Sequence, residues 1–208
     1  MILDENKVYI FDDIIPIGYQ NHLYKVFSLG YIWSANGFLP FSSTDKYVQK
    51  NSNISNNLVD SFQFQHPIWD ERPINQTYTE VLPILHYIQS YFNFSYNYNI
   101  LSIKANLKTN NLKDINSDNF SPPHVDYEDF SPFLWTILYY VNDSDGDTII
   151  FNEKYNGNSL KNYSINKKIS PQKGRCVMFR TNTFHSSGIP IKNLGRIIIN
   201  YNINIIPL

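Results

Sequence analysis

Apolar and polar residues change their spacing about halfway along the chain. Before residue 100, residues 19–29 and 76–92 place apolar side chains at the three- and four-residue intervals of an amphipathic helix. A short β-like run, residues 7–11, precedes the first of these helices. From residue 101 onward, short strand-like runs replace this spacing. Residues 101–107 alternate apolar and polar side chains, as in a strand with one buried face. The pattern predicts one strand and two helices ahead of a β-rich half.

The predicted strands of the second half are short and are separated by turns rich in Gly, Asn and Pro. They cover residues 101–107, 134–141, 148–151, 163–169, 175–179 and 196–205. Such a series is typical of a β-sandwich or jelly roll. The predicted fold class is therefore mainly β with flanking helices. We predict a single domain over residues 1–208, with a strand, helices and covering loops in residues 1–100 and a jelly-roll core in residues 101–208.

Three connecting segments give further predictions. Residues 30–75 have no clear period but are rich in aromatic side chains, which predicts a packed, winding cover over one end of the core. Residues 108–123 form a long polar stretch, expected to be a mobile loop at the substrate entrance together with part of that cover. Residues 142–147 are predicted to be a hairpin turn. Their acidic spacing suggests an EF-hand loop, but Thr148 and Lys154 occupy positions where that loop needs Gly and Glu.

Composition and charge narrow the class of protein. Seventeen basic and eighteen acidic residues leave a formal net charge of −1, so tight binding to duplex nucleic acid is disfavoured. Cys176 is the only cysteine of the 208 residues, which excludes an intrachain disulfide and suits a reducing cytoplasm. We see no signal peptide and no apolar run as long as a membrane span. A cytoplasmic protein is expected.

The candidate chemistry lies in the second half, at His124, Asp126, His185 and Arg196. His124 and Asp126 are two residues apart, and in an extended strand they would project from the same face. Alone, such a pair is more often a solvated turn. With His185 as a third ligand, it predicts the two-histidine, one-carboxylate set of non-heme Fe(II) sites. Arg196, eleven residues beyond His185, can hold the far carboxylate of a chelating co-substrate.

Several neighbouring residues are weaker candidates. Glu128 and Asp129 compete with Asp126 as the carboxylate ligand, but only Asp126 has the two-residue spacing from His124. Cys176 is expected to be a buried structural thiol. The remaining histidines are expected to be structural, although the one in the irregular segment could line the entrance: His22, His66 and His86.

Residues 103–203 resemble the 2-oxoglutarate/Fe(II)-dependent dioxygenases of the prolyl 4-hydroxylase-like group, especially the small versions of bacteriophages and marine bacteria. The matching segments are residues 103–107, 124–126, 139–142, 145–148, 171–179, 185 and 196–200. The resemblance implies a double-stranded β-helix of cupin type, with helices packed on one sheet. It also implies Fe(II) as the metal, 2-oxoglutarate and O2 as co-substrates, ascorbate as a candidate reductant, and a candidate phage origin in an infected host cell.

The resemblance also implies roles for individual residues. The metal ligands would be His124, Asp126 and His185. The co-substrate-binding residues would be Arg196, Tyr140, Asn106 and Asn200. Family members often carry Ser two residues after the arginine, where this chain has Ile198. The contacts to the carboxylate are therefore expected to be rearranged, with Asn200 as a candidate replacement.

The substrate follows only by analogy with the family. A prolyl or other peptidyl side chain is the first choice, and a free amino acid or small metabolite is the second. A nucleic acid is unfavourable because of the charge balance. An alternative of another class is a non-catalytic, cupin-like module that binds a metal or ligand. The sequence leaves the oligomeric state open.

Overall fold

Helices and strands alternate early in the chain, and strands dominate later. The computed structural model describes residues 3–28, 44–49, 51–59, 63–92, 96–110 and 115–207. Its elements there are β1 (Tyr9–Phe11), α1 (Ile17–Ser28), α2 (Thr44–Tyr47), β2 (Gln63–Asp70), β3 (Arg72–Pro73), α3 (Thr77–Phe92), β4 (Tyr96–Thr109), β5 (Leu134–Tyr140), β6 (Thr148–Lys154), β7 (Ile165–Ile169), β8 (Cys176–Arg180), β9 (Thr183–Ser187) and β10 (Gly195–Pro207). A 3-10 turn at Ser55–Asn57 lies between α2 and β2.

Within these described ranges, the strands form two antiparallel sheets. The major sheet has seven strands in the order β1-β8-β5-β10-β4-β2-β3, and the minor sheet has three in the order β7-β6-β9. Apolar side chains of both sheets, such as Leu138, Ile198 and Ile150, pack together between them. The expected mainly β, jelly-roll architecture with flanking helices is confirmed. It is a double-stranded β-helix.

The major sheet has an apolar outer face, while its inner face carries both apolar side chains and the polar side chains of β10. Along β10, Ile197, Ile199 and Tyr201 point outward and join the buried core formed with the helices. Leu23 of α1 and Ile84 of α3 are fully buried in this core. Burying one such side chain stabilises the fold by about 1.5–3 kcal/mol. The helices therefore cover the outer face and leave the inner face to the site.

The minor sheet is covered on its outer face by part of the N-terminal half. Val48 and Ile54 pack there with Phe120, Phe151 and Phe184. The prediction of a packed cover holds for these residues, whereas residues 30–43 of the predicted segment lie outside the described residues. The rest of that prediction needs correction, because β2 is a strand of the major sheet, paired with β4.

The predicted hairpin at residues 142–147 is also wrong. Residues 142–147 do not form a hairpin turn, because β5 belongs to the major sheet and β6 to the minor sheet. The connection from β9 to β10 likewise crosses between sheets. Alternation identifies each strand but cannot assign it to a sheet. β4 extends through Thr109, so Lys108 belongs to a strand and not to the predicted loop.

The single domain over residues 1–208 stays a prediction, although β1, β2 and β3 of the first hundred residues pair within the major sheet. None of the described helices is long and apolar enough to span a membrane.

Candidate metal centre

Three ligand-bearing side chains meet beside strand β9. His124 and His185 form an isolated antiparallel bridge, with backbone N···O distances of 2.9 and 3.0 Å. The Asp126 amide donates to the Thr181 carbonyl at 3.2 Å and extends this pairing. One potential ligand atom from each of His124, Asp126 and His185 lies within 4.8 Å of the others. The structure thus brings together the three predicted ligands, though on a bridge rather than in a regular strand.

The two imidazoles are oriented by backbone carbonyls. Nδ1 of His185 lies 3.1 Å from the carbonyl oxygen of Thr183, and Nδ1 of His124 lies 3.4 Å from that of Pro122. A proton on each Nδ1 donates to these carbonyls and leaves each Nε2 lone pair for a metal. Burial lowers the pKa of both rings, that of His124 to about 3 with a further contribution from His185. The rings are therefore neutral at pH 7, as ligation requires.

The Asp126 carboxylate is held by two polar side chains. The Thr136 hydroxyl donates to its Oδ2 at 2.8 Å, and the Asn200 amide lies 3.2 and 3.3 Å from its two oxygens. Burial, the largest single influence, raises the Asp126 pKa, but the charges of His185 and Lys104 with the Thr136 hydrogen bond outweigh it and lower the pKa. The carboxylate is therefore ionised and fixed in direction before any metal arrives.

Two neutral imidazoles and one ionised carboxylate form the donor set of non-heme Fe(II) sites. Both histidines have one nitrogen held by a carbonyl, and the carboxylate is already anchored. The residues present therefore fit a ferrous ion. His124 and His185 line one wall of a cavity of about 190 Å³, whose other walls include Lys104, Asn106 and Arg196. That is below the roughly 300–1,000 Å³ of sites for drug-sized ligands, so the cavity suits a small co-substrate.

Arg196 lies at the other end of this cavity with 3% of its surface exposed. Its Nη2 donates to the Thr148 hydroxyl, which also accepts a hydrogen bond of 2.6 Å from the Tyr140 hydroxyl. The guanidinium carbon is 5.5 Å from the centre of the Tyr140 ring. Nε has no hydrogen-bond partner, and burial lowers the Arg196 pKa. Among the described residues, no carboxylate forms a salt bridge with Arg196.

The other two predicted co-substrate residues occupy different positions. Asn106 is buried against the cavity, and its side-chain oxygen has no hydrogen-bond partner. Asn200 lies four residues along β10 from Arg196 and contacts Asp126. The resemblance to the family instead predicts it beside the distal carboxylate. Because Asn200 shares a face with Arg196 but sits two alternating positions further on, it belongs to the metal end.

The sequence prediction omits a second buried basic residue, Lys108, which is 1% exposed. Burial and the Arg196 charge lower its pKa well below the usual range, and its Nζ donates to the hydroxyls of Ser121 and Ser187. A signal for it exists, because the alternation that begins at Leu101 places Lys104, Asn106 and Lys108 on one face when the strand is continued. Ending the predicted strand at its last apolar residue, Leu107, conceals this.

The weaker candidates lie away from the centre. Glu128 is bonded to the Lys46 ammonium and to the Tyr47 hydroxyl. Cys176 is fully buried, and burial raises the pKa of its thiol. His22 pairs with Glu80, His66 lies 3.3 Å from the Thr77 hydroxyl, and His86 is exposed.

Comparison with known proteins identifies the class. Residues 110–204 match the model of the 2OG-Fe(II) oxygenase superfamily, and this segment contains the three ligands and Arg196. This similarity covers 95 of the 208 residues. With the fold and the donor set, the match defines an enzyme of the iron- and 2-oxoglutarate-dependent oxygenases. Fe(II), 2-oxoglutarate and O2 are accordingly its metal and co-substrates. No curated protein sequence matches the chain.

Solved structures show the same fold at low sequence identity. The epimerase SnoN from nogalamycin biosynthesis, in complex with Fe3+, alpha ketoglutarate and nogalamycin RO, is 10% identical with a TM-score of 0.61, over 96% of this chain and 79% of that one. A Trichoplax adhaerens prolyl hydroxylase, in complex with a hypoxia inducible factor peptide fragment, is 13% identical with a TM-score of 0.57, over 96% and 84%. The viral collagen prolyl hydroxylase of Paramecium Bursaria Chlorella virus-1 is 13% identical with a TM-score of 0.50, over 94% of each chain.

Proposed function

We propose that this enzyme hydroxylates a peptidyl side chain, with a prolyl residue as the first candidate, and that His124, Asp126 and His185 hold its Fe(II). The observation that carries the site assignment is the convergence of two neutral imidazoles and one ionised carboxylate at a cavity whose far end holds a buried arginine. The prolyl 4-hydroxylase-like group, of phage or marine-bacterial type, remains a prediction. The prolyl hydroxylases among the similar folds support it by analogy.

Arg196 is the anchor for the distal carboxylate of 2-oxoglutarate in this proposal. A buried guanidinium without an anionic partner is costly, and a carboxylate would offset that cost through a charge-assisted pair. Thr148 and Tyr140 hold the guanidinium in place. The 2-oxo acid end of the same molecule then faces the triad. Asn106, which lines the cavity, is a candidate contact along the way.

The bound iron supplies oxidation of a C–H bond by O2, coupled to decarboxylation of 2-oxoglutarate to succinate. The chain's own residues prepare that chemistry. Thr183 and Pro122 carbonyls keep Nε2 of each histidine unprotonated, while Thr136 and Asn200 fix the carboxylate. Burial of the site limits access of water to the reacting centre.

A free amino acid or small metabolite is the second candidate substrate. The similar folds include enzymes crystallised with a peptide and with a small molecule, so the fold does not choose between them. Ascorbate as a reductant, a cytoplasmic location and the oligomeric state are left to experiment.

Succinate formation tests the function. Purified enzyme with Fe(II), 2-oxoglutarate and O2 should form succinate, faster with proline-containing peptides than without. Mass spectrometry should show the gain of one oxygen atom in the peptide. Oxygen gain only in amino acids or metabolites would replace the peptide proposal by the second candidate. Metal binding without any succinate formation would support the non-catalytic module instead.

A further inference from the structure

The end of the cavity far from the metal ligands contains two buried basic side chains side by side. Arg196 of β10 and Lys108 of β4 are direct cross-strand partners, 3% and 1% exposed. Partners at such positions share one face of the sheet, and burial together with the Arg196 charge lowers the pKa of Lys108 well below its usual range. No carboxylate in the described part of the chain forms a salt bridge with either residue. A carboxylate bound by Arg196 does not by itself explain why Lys108 is buried here.

The contacts of Lys108 connect it to the cavity through hydroxyl groups. Its Nζ donates to the Ser121 and Ser187 hydroxyls and lies 3.4 Å from the Ser187 carbonyl oxygen. Lys108 therefore does not need to enter the cavity itself, because both serines line it. The Ser187 oxygen accepts from Lys108, so the Ser187 proton remains available for an acceptor in the cavity.

Ser187 is placed at the arginine end by the minor sheet. It is the cross-strand partner of Thr148 in the β6–β9 pairing, and Thr148 accepts the hydrogen bond from Arg196. Side chains of such partners start about 4.5–5.5 Å apart. Ser187 thus stands beside the guanidinium, on the side opposite the major sheet. Ile198, two residues after the arginine, provides no hydroxyl there.

We propose that Lys108 and Ser187 complete the carboxylate pocket of the co-substrate. The Ser187 hydroxyl donates to the distal carboxylate that Arg196 binds. Lys108 is a positioning residue that orients this hydroxyl through its hydrogen bond. The inference rests on the proposed 2-oxoglutarate pocket at Arg196. It explains why the fold buries a lysine directly beside an arginine, an arrangement that costs stability unless an anion binds there.

Two co-substrate analogues test the proposal. The enzyme is loaded with Mn(II) without oxygen and titrated with 2-oxoglutarate and with 2-oxovalerate, which lacks the distal carboxylate. Lys108→Met should weaken 2-oxoglutarate binding by roughly ten- to hundred-fold, the range for a lost hydrogen-bonding system to a charged group. Binding of 2-oxovalerate and of Mn(II) should be unchanged. Ser187→Ala should show the same selectivity change, to a smaller extent.

The unfolding temperature separates positioning from a structural role. Replacing a buried cation by an apolar side chain of similar length is often neutral or stabilising, so Lys108→Met should melt at or above the parent temperature. Lys104→Met is the matched control, because this lysine lies on the same strand face but at the metal end. Lys104→Met should change the affinities for 2-oxoglutarate and for 2-oxovalerate by the same factor.

Parent-like preference for 2-oxoglutarate in both Lys108→Met and Ser187→Ala would overturn the inference, while a loss of that preference in Arg196→Ala would leave the proposed pocket standing. Equal weakening of both acids by Lys108→Met, with a lower unfolding temperature, would also overturn it. If the parent enzyme does not prefer 2-oxoglutarate over 2-oxovalerate, the pocket itself is wrong. Should Lys108→Met not fold, Ser187→Ala alone decides the result.

Discussion

The two ends of the cavity satisfy their buried charges in different ways. At the metal end, the Asp126 carboxylate accepts hydrogen bonds from Thr136 and Asn200, and two histidines stand beside it. At the far end, Arg196 and Lys108 lie next to each other, and their hydrogen bonds go to hydroxyl and carbonyl groups without charge. One end is organised by the protein's own acid. The other is complementary to an acid from outside.

This difference predicts which substitutions act on metal and which act on co-substrate. Changes at the triad should remove the metal and, with it, the chelating part of co-substrate binding. Changes at the arginine end should leave the metal in place and reduce only the contribution of the distal carboxylate. The binding of both the metal and 2-oxoglutarate should therefore be measured for each substitution.

Asp126→Ala should have the largest effect. Removing a residue that hydrogen-bonds to a metal ligand lowers metal affinity by about 10–100-fold, and removing the ligand itself should lower it further. Anaerobic titration with Mn(II) measures the affinity, and succinate formation should fall to background. Glu128→Ala is the control, because this nearby carboxylate is bonded to Lys46 outside the centre. Parent-like metal binding by Asp126→Ala would refute the ligand assignment.

Arg196→Ala should have the next largest effect, on the co-substrate alone. Removing one member of a buried charge pair costs about 2–5 kcal/mol, so the 2-oxoglutarate dissociation constant should rise roughly thirty-fold to several thousand-fold. Calorimetry on the Mn(II)-loaded enzyme without oxygen measures it. Arg196→Lys should recover part of the affinity, since the charge remains but the fork geometry is lost. A parent-like constant for Arg196→Ala would move the anchor to another cation, with Lys108 first.

The contrast between the two ends also shows what sequence can predict. The metal ligands could be predicted from the sequence, because residues two apart in an extended chain project from the same face and few residue types bind iron. Arg196 could also be predicted from the sequence, because it lies in a recognisable strand a short distance after His185. The signal for Lys108 is weaker: the alternation from Leu101 places it on the inner face only if the strand is continued, and a lysine after the last apolar residue resembles the beginning of a loop. Its burial depends on partners 79 residues away in the chain, at Ser187.

The fold divides in a similar way. Strands with long apolar runs, such as β5 and β10, were predicted close to their observed bounds. β2 was not, since its sequence, Gln63–Asp70, contains Pro67 and has no alternation of apolar and polar residues. Its pairing with β4 comes from tertiary contacts, and a register shift near Pro67 accommodates the proline. The same limit explains the wrong hairpin at residues 142–147, because sheet membership depends on distant strands.

Acid should destabilise the metal-free enzyme through its buried histidines. The unfolded chain takes up a proton at each histidine near pH 6.5, whereas folding lowers the pKa of His124 to about 3. Below pH 6.5 the unfolded state therefore binds more protons, and stability falls as the pH is lowered toward the folded pKa. The slope is up to about 1.4 kcal/mol per pH unit for each histidine, or about tenfold in the folding equilibrium.

Denaturant unfolding between pH 7 and pH 5 measures this slope. That range lies above the pH at which Asp126 takes up a proton, since the pKa of its carboxyl is lowered from 3.8. His124→Gln should flatten the slope. Saturating Mn(II) should raise the stability by a nearly constant amount across this range, because the folded histidines are already unprotonated there. A metal-free parent whose stability does not change over this range would contradict the burial of neutral imidazoles.

Tyr140→Phe should have the smallest effect at the arginine end. The Tyr140 hydroxyl donates to Thr148, so its influence on the co-substrate passes through the hydroxyl that Arg196 also contacts. Losing one such bond costs about 0.5–1.5 kcal/mol, or roughly two- to twelve-fold in 2-oxoglutarate affinity, while the ring remains beside the guanidinium.

The adjacent tyrosine provides the control for this substitution. Tyr139 points to the helical side of β5, and its buried hydroxyl has no hydrogen-bond partner, so Tyr139→Phe should leave co-substrate binding unchanged and should not lower stability. Calorimetry on both Mn(II)-loaded variants measures the pair. If Tyr140→Phe loses as much affinity as Arg196→Ala, the Tyr140 hydroxyl must turn from Thr148 to the carboxylate when the co-substrate binds. The far end would then be assembled by its ligand, in contrast to the metal end, whose hydrogen bonds exist beforehand.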